Sequence, residues 1–143
     1  MPVVTWKIPG IRSIHFVDAA TLPCDCDALA RVGMPLVLAV DDPGQQLFDE
    51  PECTVTETHT RAGVKYDARL TFVTDSMPRV ITDAGVVVVT HDGDAFLLGR
   101  REAPYPRISV SRSTGHRRDR RALSVEVTCI TRPAECSVAM HVL

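Results

Sequence analysis

A run of valines that ends at an Asp-Gly dipeptide restricts the fold of this chain more than any other feature. The segment from Val86 to His91 is strand-prone, Asp92-Gly93 follows it, and Asp94 to Leu98 is strand-prone again. Neither run has helical spacing of its apolar residues, and Asp-Gly suits the positive φ angles of a tight two-residue turn. The sequence therefore predicts a β-hairpin with Asp92 and Gly93 at its tip.

A second hairpin is predicted by strict alternation of apolar and polar residues. Between residues 64 and 73, apolar and polar residues alternate. The apolar residues are Val64, Tyr66, Ala68, Leu70 and Phe72, and the polar residues between them are Lys65, Asp67, Arg69 and Thr71. This period of two is typical of a sheet with one packed and one wet face, and a shift of one residue would bury three charges. The strand-prone run from Thr54 to Thr60 precedes it, and Arg61-Ala62-Gly63 predicts a three-residue connection.

The remaining segments extend this pattern. Strands are predicted near residues 12–17, 36–40, 107–112, 123–129 and 136–142, and one short helix is predicted over about residues 23–33. The total is eight or nine strands and one short helix, with no internal repeat. We therefore expect a mainly β fold, an antiparallel sandwich or barrel. It forms a single domain over residues 1–143, and residues 1–10 are free to act as a flexible arm.

Composition places the chain among ordinary globular proteins. Its 143 residues suffice for one domain with a real core, and 45% hydrophobic with 24% charged residues argue against disorder. No apolar stretch approaches the roughly 18–20 residues of a membrane helix, and the N-terminal residues lack the layout of a signal peptide. We therefore expect cytoplasmic synthesis and no membrane partner.

Charge is distributed unevenly along the sequence. Residues 1–60 hold three basic and nine acidic side chains, whereas residues 100–143 hold nine arginines and four acidic side chains. If these segments occupy different faces, the molecule has an electrostatic polarity that favours association with copies of itself or with charged partners. The alternative is a set of solvated charges, because a position in the sequence does not define a position on the surface.

Candidate metal ligands are present but poorly spaced. Among five cysteines and five histidines there is one close pair, Cys24 and Cys26, whereas a zinc site usually needs two close pairs. Cys129 falls on the apolar side of its strand and is interpreted as a core thiol. No loop combines an acid, a base and an oxyanion donor. We therefore predict no catalytic residue, no metal and no cofactor, and a protein that is not an enzyme.

Three segments together carry a family resemblance. These are Ser13-Ile-His-Phe-Val-Asp18, Arg69-Leu-Thr-Phe72 and above all Phe96-Leu-Leu-Gly-Arg-Arg-Glu-Ala-Pro-Tyr-Pro106. In their order along the chain, from Arg12 to Thr131, they resemble small β-rich proteins encoded in the structural-gene regions of tailed phages and prophages. The resemblance implies a virion component of the neck or tail that acts by assembly. Its partners would be copies of itself or other virion proteins.

Two surface features are candidate interface sites. Tyr105 lies between two prolines and can anchor an interface, although an aromatic residue more often holds such a loop against its own sheet.

The last predicted hairpin carries an arginine tip, defined as Arg117, Arg118, Arg120 and Arg121. We expect this tip to meet an acidic surface of a neighbouring subunit or of another virion protein. Nucleic acid is disfavoured, because the chain is slightly acidic and has no aromatic platform beside the arginines, and a solvated tip is the remaining alternative.

A second class of function also fits a β-rich domain without catalytic motifs. Such a chain can be a monomeric sandwich module that binds a small ligand or a cell-wall sugar on its β-surface. Light scattering at several salt concentrations distinguishes this class from a protein that assembles.

Overall fold

A computed structural model describes residues 2–22, 37–40, 44–45, 47, 50–75, 77–78, 80–102, 104–112 and 123–140. These residues form ten strands and one turn of 3-10 helix, Ala19–Thr21. The strands are β1 Val3–Lys7, β2 Ile11–Asp18, β3 Val37–Val40, β4 Glu52–Thr60, β5 Gly63–Thr74, β6 Ala84–Thr90, β7 Ala95–Leu98, β8 Arg107–Arg112, β9 Leu123–Cys129 and β10 Ala134–Met140. The predicted mainly β fold is confirmed.

The strands form two open sheets, so the fold is sandwich-like and not a closed barrel. The first sheet has the order β1-β4-β5-β9-β8, and all its neighbouring strands are antiparallel. The second has the order β2-β6-β7-β10-β3. Its first four strands are antiparallel, whereas β3 pairs with β10 in parallel. That parallel pair has no local sequence signal, because its two strands are almost a hundred residues apart.

The main core lies between the two sheets and follows the predicted alternation. In β5, Ala68, Leu70 and Phe72 are buried while Arg69 is exposed, and β9 alternates in the same way down to Cys129. The Phe72 ring lies 6.0 Å, centroid to centroid, from the ring of Phe16 in the other sheet. A buried leucine or phenylalanine such as Leu70 or Phe72 contributes about 1.5–3 kcal/mol, which holds the strands in register.

Strand β6 is buried on both faces, which explains why its sequence does not alternate. Val86 and Val88 belong to the main core, whereas Val87 and Val89 belong to a second apolar cluster. The second cluster also contains Leu97 and lies on the opposite side of the same sheet. A strand covered on both sides has no wet face, so a continuous valine run takes the place of alternation.

The β6–β7 hairpin is confirmed, but its two-residue turn is wrong. The amide of Thr90 donates to the carbonyl of Asp94 at 2.8 Å, and the amide of Gly93 donates to the carbonyl of Thr90 at 3.1 Å. Three residues therefore connect the strands, and Gly93 alone among them has a positive φ, of 92°. His91 and Asp92 keep the negative φ of an ordinary turn, and Gly93 after them takes the left-handed conformation that brings the chain back into the second strand.

The β4–β5 hairpin differs from its prediction in the opposite direction. Thr60 pairs with Gly63, so Arg61 and Ala62 alone lie outside the ladder, and the predicted three-residue connection is wrong by one residue. Gly63 carries the positive φ, of 132°, as a member of β5. The glycine was correctly associated with this turn, but it belongs to the strand.

Residues 1–10, for which the sequence analysis allows a flexible arm, contain β1. This strand pairs with β4 from Val3 opposite Thr58 to Lys7 opposite Thr54, and it accounts for a strand beyond the eight or nine predicted. The predicted strands at 12–17, 36–40, 107–112, 123–129 and 136–142 correspond to β2, β3, β8, β9 and β10. The helix predicted over residues 23–33 lies outside the described residues, as does the arginine tip between β8 and β9.

Candidate interaction surface

One end of the first sheet extends beyond the sandwich core as a three-stranded ribbon. The ribbon consists of residues 3–5 of β1, 56–60 of β4 and 63–67 of β5. None of residues 56–67 is buried, whereas Val55 and Ala68 at its base are fully buried. Strand β9 ends at Cys129, which pairs with Ala68, so the ribbon lies past the last residue of β9. At about 3.4 Å per residue, the ribbon projects by roughly 17 Å.

The inner face of the ribbon continues the face that forms the core. Val4, Glu57 and Tyr66 lie directly opposite one another across the three strands, and His59 lies opposite Val64 in the next row. Trp6, Val55 and Ala68 face the core from the same three strands. Each of the five residues is an even number of positions from the reference residue on its own strand, so all five side chains are on the core side of the sheet. Val4 is 46% exposed and Val64 is 40% exposed. The inner face therefore combines Val4, Val64 and Tyr66 with Glu57 and His59, and all five side chains are exposed or partly exposed.

Trp6 marks the boundary between the core and the ribbon. Its indole packs against the main core and lies 6.5 Å, centroid to centroid, from the ring of Phe96 in β7. Its Nε1 donates a hydrogen bond to Glu57 Oε2 at 3.2 Å. Because the ring is packed and its N–H has a partner, Trp6 holds the Glu57 carboxylate against the inner face.

The sequence of β4 marks where the core ends. Its inward positions change from Cys53 and Val55, which are buried, to Glu57 and His59, which are partly exposed. Polar residues at inward positions indicate that no sheet lies opposite, because burying them without partners costs free energy. The alternation of β5 predicts Val64 and Tyr66 on the packed face, whereas the polar inward residues of β4 are the sequence signal that this part of the face is not covered.

Tyr105, one of the predicted interface residues, lies in the loop between β7 and β8 and is 36% exposed. Residues on both sides of Tyr105 constrain this loop. Pro106 is buried, and its ring lies so close to Gly99 that a Cβ placed on Gly99 would be 2.8 Å from the Cδ and Cγ atoms of Pro106. Tyr105 is therefore a partly exposed aromatic residue on a constrained loop, and its role in an interface remains a prediction. Arg117, Arg118, Arg120 and Arg121 lie outside the described residues.

The cysteines and histidines are the candidate metal ligands of the sequence. No group of three or more potential metal ligands occurs among the residues that the structure describes, and Cys24 and Cys26 lie outside them. Burial, with a smaller effect of the neighbouring Cys129 thiol, raises the pKa of the Cys53 thiol to about 11. A neutral thiol is a poor nucleophile. Cys129 is buried, as predicted, and its Sγ lies 3.0 Å from Thr131 Oγ1.

Comparison with known proteins finds no match. No protein-family model, no curated protein and no solved structure matches this chain. Within the described ranges, the structure has no helix of the length and hydrophobicity needed to span a membrane. Function is therefore inferred from the surfaces of the sandwich.

Proposed function

We propose that this chain is a non-catalytic structural subunit that acts by assembly. The observation that supports the proposal is the inner face of the ribbon, where Val4, Tyr66 and Val64 follow directly from the core but have no covering layer in the described residues. A partner that covered them would gain about 1 kcal/mol for each apolar side chain, at the rate for buried apolar area. A ribbon of so few strands also gains stability from a packed face.

The edge of the ribbon offers a second type of contact. Strand β1 is the outermost strand of its sheet, and its outer side has no strand partner within the described part of the chain. Unpaired amide and carbonyl groups on an edge strand can bind another chain by extending the sheet. Together, an open edge and an uncovered apolar face favour a protein partner over a small molecule.

The virion setting rests on the resemblance to phage structural proteins, above all on the segment from Phe96 to Pro106. In that setting the subunit belongs to a neck or tail, and a head-to-tail contact between different surfaces of successive subunits generates a ring or tube. The arginine tip would orient such a contact while apolar residues, including Tyr105, supply most of its affinity.

Light scattering coupled to size exclusion tests the assembly proposal. The wild-type chain is expected to associate, with itself or with a co-expressed partner, in a manner that persists at high salt because apolar contacts are not screened. Val4→Glu/Val64→Glu should abolish this association without altering the circular dichroism spectrum. Met77→Glu/Ile81→Glu is the matched control, because it also replaces two exposed apolar side chains by glutamate, and both residues lie between β5 and β6, at the opposite end of β5 from the ribbon. Unchanged association of the ribbon variant would contradict the proposal.

The same face supports a second candidate function, a module that binds a small ligand or a cell-wall sugar. Glu57 and Tyr66 on the ribbon and Trp6 at its base place a carboxylate and two aromatic rings on the core side of the sheet. A few polar groups among aromatic side chains are typical of small-molecule sites. Calorimetric binding of cell-wall fragments to a monomer, abolished by Tyr66→Ala, would favour this function over assembly.

A further inference from the structure

The outer face of the first sheet carries two adjacent rows of opposite charge. The basic row crosses all five strands and consists of Lys7, Thr54, Arg69, Thr128 and Arg107. The acidic row lies two residues further along the strands and consists of Glu52, Thr71, Glu126 and Ser109. Residues that pair directly across neighbouring strands point to the same side of a sheet. Every residue in both rows is exposed or partly exposed.

The charges in the two rows are staggered. The cations are on β1, β5 and β8, whereas the carboxylates are on β4 and β9, the strands between them. Neighbouring strands are about 4.8 Å apart, so the cations are roughly 10 Å from one another and each carboxylate lies midway between two of them. Threonine and serine fill the other positions, so no large side chain stands between the charges.

Among the described residues, one ion pair joins the two rows. The pair Arg69 Nε to Glu126 Oε1, at 3.4 Å, is the ion pair found among the described residues of this face. Both of its side chains are about half exposed, so the pair adds little to the stability of the fold. The rows therefore present a face that carries both signs of charge in a regular order. This order disfavours a polyanion as the occupant and favours a surface with the reverse order.

We propose that a second copy of this chain docks face to face on the two rows. The two copies are related by a two-fold axis that lies in the interface. The axis runs across the strands and passes between the two rows, so that the basic row of each copy lies opposite the acidic row of the other. Glu52 of the second copy then lies between Lys7 and Arg69, and its Glu126 lies between Arg69 and Arg107. The staggered order of charges is thus self-complementary in this one register.

The expected dimer is weak and sensitive to salt. Five strands at about 4.8 Å and three or four rows at about 6.8 Å give a face of roughly 500–650 Å² per copy, which is near the lower limit for a specific interface. Its exposed charges are screened once the Debye length falls below their separation. The inference deepens the proposed role in assembly and rests on it, but it concerns a surface other than the inner face of the ribbon.

A charge-exchange experiment tests the register. The first variant, Lys7→Glu/Arg107→Glu, makes the basic row acidic overall, so that two acidic rows would face each other. The second variant, Glu52→Lys/Glu126→Lys, makes both rows basic. Neither should dimerise alone, whereas an equimolar mixture should form a heterodimer, because each altered row then faces a row of opposite charge. Arg12→Glu/Arg132→Glu is the control for the first variant, since it makes the same change in net charge with neither residue in the two rows.

Analytical ultracentrifugation measures the outcome. Every chain in this experiment also carries Val4→Glu/Val64→Glu, which removes the ribbon contact and leaves the two rows unchanged. In that background we expect dimerisation of the chain with unaltered rows and of the control to weaken at least tenfold between about 0.05 M and about 0.5 M salt. We expect each row variant alone to be monomeric and their mixture to recover dimers. A monomeric chain with unaltered rows at low salt, or row variants that dimerise alone, or a mixture that stays monomeric would each overturn the inference. If in any of these cases the chain with an intact ribbon still shows salt-resistant association, the proposed function stands and the row contact is wrong.

Discussion

Gly99→Ala is expected to destabilise the fold more than Gly93→Ala, although both glycines have a positive φ. A Cβ on Gly99 (φ 105°) would lie 2.8 Å from the Cδ and Cγ atoms of Pro106. A Cβ on Gly93 (φ 92°) would have no heavy atom within 4 Å. The substitution at Gly99 therefore carries a backbone cost and a steric cost, whereas the one at Gly93 carries the backbone cost alone.

The difference can be estimated from these two contributions. A left-handed backbone costs an alanine about 1–2 kcal/mol, which is the full expected loss for Gly93→Ala. Overlap with Pro106 adds about 1–3 kcal/mol at Gly99, because a buried proline ring is stiff and cannot rotate away. Gly99→Ala should therefore lose about 2–5 kcal/mol. For a chain of this length, each kcal/mol lowers Tm by about 3 °C.

Urea unfolding followed by circular dichroism measures both variants, and Pro106→Ala completes a double-mutant cycle. The double variant Gly99→Ala/Pro106→Ala should be more stable than the two single losses predict, by about 1–3 kcal/mol, because the clash is removed. Equal urea midpoints for Gly99→Ala and Gly93→Ala would refute the steric part of this reasoning. Gly93→Val should lower the free energy of unfolding by roughly 1 kcal/mol or more. If this variant is as stable as the wild type, the turn is assigned wrongly. The Gly99 contact adjoins Tyr105, so displacing it would also move the candidate interface residue.

Two further predictions concern titration and the arginine tip. Because the pKa of Cys53 is raised from 9.0 to about 11 in the fold, its thiol ionises first in the unfolded chain. Its contribution to stability is therefore complete below pH 9 and declines as the pH rises through about 11, a loss of about 2–3 kcal/mol. Unfolding of Cys53→Ala should depend less on pH than unfolding of the wild type over that range, and identical slopes would contradict the assignment. Changing the four arginines of the tip to serine should leave the fold intact but impair incorporation into particles, as measured by infectivity, and normal particles would show that the tip is only solvated.

Local pattern was enough to determine most of the strands, though not β1, and the direction in which their side chains point. The alternation of β5 and β9 predicted that Leu70 and Val127 face the core while Arg69 and Glu126 face outwards, and all four do so. The hairpin β6–β7 was predictable because its strands are close in the sequence and its glycine has few alternatives to a turn. In each of these cases the signal extends over a few neighbouring residues.

Only the tertiary structure decided which inward positions are covered. Val64 and Leu70 lie on the same face of β5, yet Val64 is exposed because the opposite sheet does not extend to the ribbon. The pairing of β1 with β4 and of β3 with β10 joins segments about fifty and about a hundred residues apart, and no short-range pattern encodes such a partner. The charged rows are likewise invisible along the chain, because their members come from five strands. Periodicity determines the side of a strand on which a residue lies, whereas burial depends on which distant strand the folded chain brings to that side.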